Sequence, residues 1–211
     1  MKNKKELMNN KTNYINYLFN FLAVILGVFL AFYISDKAEI NQDKQEGRIL
    51  LESLVDELND DIVTYTSYQI PDNETHIENL DQLILALGEN NIDKINEQLP
   101  AIFQLNNYAP SSSTYSSIKA SGKLKLIENF DLRRSVSDLY EGEVTESRLK
   151  GEFQAEFFKT ELLSWAISNM VFMEMKLLND CDKIILKNKI IIYKSLISQK
   201  VDSYKMIVEE S

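Results

Sequence analysis

The chain has one cysteine, one histidine and one tryptophan in 211 residues, with only three prolines and six glycines. A single cysteine excludes an intramolecular disulfide, and a thiolate zinc site needs more ligands than one. A single histidine, His76, leaves acid–base chemistry without its most common second member. Scarce proline and glycine argue against an all-β chain dense in turns and favour long helices. Positive charge is also short. The net charge is −9, and no basic stripe is present to neutralise phosphates, so nucleic acid is not an expected partner.

No reactive motif fills these gaps. Ser111 to Ser113 lack a glycine-flanked elbow and a base, so they read as helix caps. Gly122-Lys123 lacks the second glycine and the Ser/Thr of a phosphate loop. Asp60 and Asp61 are adjacent, whereas calcium loops alternate their oxygen ligands around a turn glycine. With Glu52, Asp56 and Glu57 they read as a solvated acidic face. His76 reads as a partly exposed helix residue. The expectation is a protein that is not an enzyme, with no catalytic, cofactor-binding or metal-ligating residues and no cofactor.

What the chain does have is a long apolar run. Tyr14 to Ile34 reads YINYLFNFLAVILGVFLAFYI, without a charge and with only Asn16 and Asn20 as strongly polar residues. A helix rises about 1.5 Å per residue, so about 20 apolar residues cross a bilayer core. Tyr14, Tyr17 and Tyr33 lie near the ends, where amphipathic rings favour the headgroup zone. No small-x-small cleavage site follows, so the segment reads as a retained transmembrane helix over residues 14–35 rather than a signal peptide. Gly27 and Ala31, with Ala23 one turn earlier, are the small residues of a helix-pairing face. Lys2, Lys4, Lys5 and Lys11 precede the span, so the start, residues 1–13, is expected as a short disordered cytoplasmic tail and residues 36–211 as a domain beyond the membrane. From Asp36 to Pro110 acids outnumber bases roughly four to one, which fits a domain facing a basic partner.

After Ile34 no stop signal intervenes. Ile49/Leu50/Leu51, Leu54/Val55, Leu58, Ile62 and Tyr65 recur at helical spacing, so the span is expected to continue into a first core helix that ends before Pro71. A second helix starts at Asp72 or Asn73 and ends at Gly88. A third, from Ile92 to Phe103, is bent at Pro100. A short helix after Ser111–Ser113 is closed by Gly122, with a positive φ. Asn129 or Asp131 caps a helix that buries Leu132, Val136, Leu139 and Tyr140. Glu143 to Asn179 reads as one long helix, and Ile184 to Val208 as a last amphipathic one. The fold class is therefore all-α: one N-terminal transmembrane helix continuing into a soluble helical bundle.

One stretch carries a family likeness. Thr114, Tyr115, Ile118, Ser121, Gly122, Leu124, Leu126 and Ile127 form a Thr-Tyr-x-x-Ile-x-x-Ser-Gly-x-Leu-x-Leu-Ile signature. With the basic start, single span and acidic amphipathic helix, the chain resembles a family of bacterial single-span membrane proteins of unknown function. The resemblance implies a bacterial inner-membrane protein with a periplasmic C-terminal domain, and brings no activity or cofactor. The functional expectation is a membrane-anchored scaffold or interaction subunit whose partners are the lipid bilayer and a protein partner or a second copy. The alternative is a sensory or small-ligand-binding helical module, with a pocket near Trp165, Phe172 or Tyr115.

Overall fold

Few helix breakers are present, and the computed structural model is accordingly nearly all-α. It describes the backbone of residues 2–211 and the side chains of residues 17–211. The basic side chains of residues 1–13, Tyr14 and Asn16 lie outside the described residues. Helix α1 spans Lys2–Thr64, so it takes in the stretch expected as a disordered tail. The chain divides into two compact units, Met1–Ile49 and Leu50–Ser211.

In the first unit, α1 is long and apolar enough to cross a membrane. From Tyr17 to Ile34 no residue is buried and only Ile25 is half-buried. Asn20 and the small residues Ala23, Gly27 and Ala31 are exposed along with the rest.

In the second unit the helical run begun by α1 does not end before Pro71. It passes through a wide π turn, Tyr65–Gln69, into α2, Ile70–Glu89. Pro71 falls in the first turn of α2, where a missing N–H is tolerated. The Thr64 and Thr66 hydroxyls donate to the Asp60 and Ile62 carbonyls at 2.9 and 2.8 Å, which suits a turn with a displaced hydrogen-bond ladder. Asn73 is buried rather than capping, and its amide donates to the Gln69 carbonyl at 2.7 Å. The terminator of α2 is Asn90, at φ 52°, and not Gly88. Asparagine tolerates this left-handed geometry, and its N–H returns to the Ala86 and Leu87 carbonyls.

Helix α3, Ile92–Gln98, passes into a 3-10 turn, Leu99–Phe103, at Pro100, as the spacing predicts. After an irregular stretch come α4, Ser113–Ala120, and Gly122 at φ 70°, as expected. The Asn129 side chain caps α5, Phe130–Asp138. The helix then continues through π turns at Leu139–Glu143 and Phe158–Leu163, as α6, Val144–Phe157, and α7, Ser164–Asn169. It stops ten residues short of the expected end. The Asn169 amide takes the Trp165 carbonyl at 2.8 Å, and strands β1, Met170–Val171, and β2, Lys176–Leu177, pair antiparallel. Helix α8, Lys183–Glu210, is capped by the Asp182 carboxylate and keeps Ile190 to Ile192 helical.

Two apolar clusters fill this unit. The first joins α2, α3 and α7 to Leu186, Ile190, Tyr193, Ile197 and Val201 of α8. The second joins Leu54, Tyr65, Tyr115, Ile118, Ile127, Val136, Leu139, Tyr140 and Val144 to Tyr204 and Ile207 of α8. Leu132, expected in the core, is exposed.

Candidate functional site

Residues 104–112 have no regular structure, so their polar backbone groups must find partners elsewhere. Side chains from two helices supply them. On α8, Tyr193, Lys200 and Tyr204 stand seven and four residues apart, on one face. The Tyr193 hydroxyl donates to the Gln104 carbonyl at 2.8 Å. The Lys200 ammonium donates to the Asn106 carbonyl and to Asn107 Oδ1. The Tyr204 hydroxyl accepts from the Tyr108 N–H and faces its carbonyl, both at 3.2 Å. On α1, Asp61 Oδ1 accepts from the Tyr108 hydroxyl and from Ser111 N–H, the latter at 3.3 Å. Glu57 Oε2 accepts from Thr114 N–H at 3.3 Å. Helix α4 is therefore capped by a carboxylate from another helix, whereas Ser112 at its N-cap position makes no side-chain cap. The segment from residue 104 to residue 114 is a strap, tied to α8 at one end and α1 at the other.

Burial changes the chemistry of the ties. Lys200 is fully buried, and its three donors meet three neutral oxygens: the Asn106 carbonyl, Asn107 Oδ1 and Gln154 Oε1. Loss of solvation pushes its pKa down to about 7. His76, expected to be partly exposed, is fully buried beside the Tyr193 ring. Its Nε2 lies 2.7 Å from the Ala101 carbonyl and must therefore carry the proton, while Nδ1 has no hydrogen-bond partner in the protein. Burial lowers its pKa, which keeps the ring neutral. Asp61, expected on a solvated face, is buried, and desolvation raises its pKa. Cys181 is half-buried, with its thiol pushed up by the same cause.

A cleft of about 570 Å³ opens beside the strap, lined by Pro110, Ser116, Lys119, Glu141, Thr145 and Arg148 among others. Its floor is the stacked pair Tyr115 and Tyr140, with centroids 4.7 Å apart and planes 3° from parallel. Glu141 accepts from the Lys119 ammonium at 2.8 Å and from the Tyr115 hydroxyl; these bonds, that to Lys119 foremost, lower its pKa. Of the three residues expected near a pocket, Tyr115 lines this cleft. Trp165 is packed in the first apolar cluster, and Phe172 is half-exposed against Phe103. Among the described residues, no three His, Cys, Asp or Glu side chains are grouped to hold a metal ion.

Residues 20–197 match a family described as a family of unknown function, DUF6090. The chain belongs to that family. An unknown-function family is what the Thr114–Ile127 signature implied, and the matched residues of this DUF6090 member include the signature, the strap and the floor of the cleft. No curated protein and no solved structure matches the chain.

The spacing of α8 could have exposed Lys200. It sits seven residues after Tyr193 and four before Tyr204, within the stripe that buries Ile190, Ile197 and Ile207. A lysine inside an apolar stripe is the signal of a buried cation.

Proposed function

We propose that this protein is a membrane-anchored helical scaffold or interaction subunit of a membrane protein complex, without catalysis. The carrying observation is the exposure of Tyr17 to Ile34 on every face of α1. A helix apolar all round needs lipid or protein about it, and none of this stretch is buried within the chain. On this reading residues 14–35 span the bilayer once, residues 1–13 are a cytoplasmic tail and residues 36–211 are a periplasmic domain at the bacterial inner membrane. The excess of acid between Asp36 and Pro110 favours a basic protein partner; a second copy is the other candidate. Affinity purification from native membranes, with mass measurement of the detergent-solubilised species, tests this. A fixed partner or a stable oligomer is expected. Release by a salt or carbonate wash, or a strict monomer with nothing copurifying, refutes it.

The Tyr115/Tyr140 cleft favours a second reading, a module that senses a small polar ligand. A thermal-shift screen separates the two, because a ligand of the folded state raises the midpoint.

A further inference from the structure

Helix α1 and the turn leading into α6 bring polar atoms together inside the second apolar cluster. Glu57, Asp61 and Tyr65 recur every fourth residue, and Tyr140, Val144 and Ser147 follow a matching helical spacing. One oxygen of each carboxylate is spent on the strap. The other oxygens, Glu57 Oε1 and Asp61 Oδ2, are buried and have no hydrogen-bond partner in the protein. The Tyr140 hydroxyl is likewise buried without a partner, and the Tyr65 and Ser147 hydroxyls have none but each other. Asp61, Tyr65, Tyr140 and Ser147 are 3%, 0%, 4% and 1% exposed. Native proteins pair more than roughly 90% of buried polar groups, so two carboxylate oxygens and a phenol left unpaired in one seam call for a cause.

The charges that act most strongly on these groups are negative. The charges acting on Asp61 are those of Glu57 and Asp60, and those acting on the Tyr140 phenol are Glu57 and Asp61. The Tyr65 phenol feels Asp61 and has Ser147 beside it. One proton shared between Glu57 Oε1 and Asp61 Oδ2 would pair those two oxygens but leave one negative charge and the Tyr140 hydroxyl uncompensated, and water brings no compensating charge.

We propose that this seam is a binding site for a hard cation, ligated by Glu57 Oε1 and Asp61 Oδ2, with the neutral oxygens of Tyr65, Tyr140 and Ser147 completing the shell. All donors are oxygen, the preference of calcium or sodium rather than zinc. Two carboxylates with neutral ligands place the affinity in the weak class, Kd about 10⁻⁴ to 10⁻³ M for calcium. The expectation of no metal at Asp60 and Asp61 rested on loop spacing and a solvated face; here Asp61 is buried, Glu57 and Tyr65 lie one turn to either side of it, and Tyr140 and Ser147 come from another helix. Because the same carboxylates hold Tyr108, Ser111 and Thr114, the cation also fastens the strap.

The test uses the full chain in detergent at neutral pH, melted with CaCl2, MgCl2 or NaCl at matched ionic strength. At about 10 mM, Ca2+ is expected to raise the midpoint by about 3–11 °C. Glu57→Gln and Asp61→Asn should abolish the shift. Tyr140→Phe and Ser147→Ala, which leave the strap ties intact, carry the test if the carboxylate variants do not fold. Each should weaken the response about tenfold; without the cation Tyr140→Phe should melt no lower than the parent, since removing an unsatisfied buried hydroxyl costs little, whereas Ser147→Ala, which takes the partner of Tyr65, should melt slightly lower. No shift with any of the three salts overturns the site. So does a shift that persists undiminished in Tyr140→Phe and Ser147→Ala, which would place the ion on the outer acidic face.

Discussion

Lys200→Met tests the account of the strap most directly. Methionine keeps the length of the stem and removes the ammonium. In the parent, burial holds the native pKa at about 7, against about 10.5 in the unfolded chain. Between these values the unfolded state binds more protons, so stability must rise with pH. Integrating the two titrations from pH 7 to pH 9 gives a gain of about 2 kcal/mol. The window avoids other groups. His76, with its lowered pKa, matters only below its ordinary range, and Cys181 and the buried tyrosines act only toward pH 9 and beyond. Urea denaturation at half-unit pH steps is the assay. The parent curve should climb, and the Lys200→Met curve should be flat. At pH 7 the variant also leaves the Asn106 carbonyl, Asn107 Oδ1 and Gln154 Oε1 without their donor. Each unsatisfied oxygen costs about 1–3 kcal/mol before relaxation, while removing a buried charge returns part of that, so a net loss of about 2–4 kcal/mol is expected. A parent curve that stays flat from pH 7 to pH 9 would show that the three oxygens fully offset burial, and the reasoning would fail.

Three further outcomes follow from single residues. Gly122→Ala places a side chain at φ 70° and should cost about 1–2 kcal/mol in urea denaturation, with space around the residue to spare. Glu57→Ala removes the distant cap of α4 and should cost about 1 kcal/mol, with faster amide exchange at Thr114. His76 should stay neutral as the pH falls below its ordinary range. Because its native pKa is lowered, stability is lost on acidification, and its imidazole NMR signal should titrate only with unfolding.

Much of the helical plan was legible because local signals agree with the packing. Asn129 caps, Gly122 turns at positive φ, and Pro100 breaks regular α-helix. The failures share a physical cause. Pro71 lies in helix that a π turn carries onward, and a displaced ladder leaves no mark in apolar spacing. The end at Asn169 depends on a two-residue hairpin too short for a periodicity. The candidate site was hidden for a different reason. Asp61 and His76 were read by the usual exposure of their residue types and Lys200 was passed over, but partners distant in sequence make their burial possible. Tyr108 binds Asp61 across 47 residues, and Lys200 meets Asn107 across 93.

The position of α8 in this arrangement bears on how the protein is made. Both apolar clusters and one end of the strap draw on residues 186–207, which leave the ribosome after every other part of the unit. Earlier helices can therefore form during synthesis, but neither cluster is complete until α8 is translated. A ribosome stalled before residue 183 would present a half-built, greasy nascent chain to chaperones and proteases.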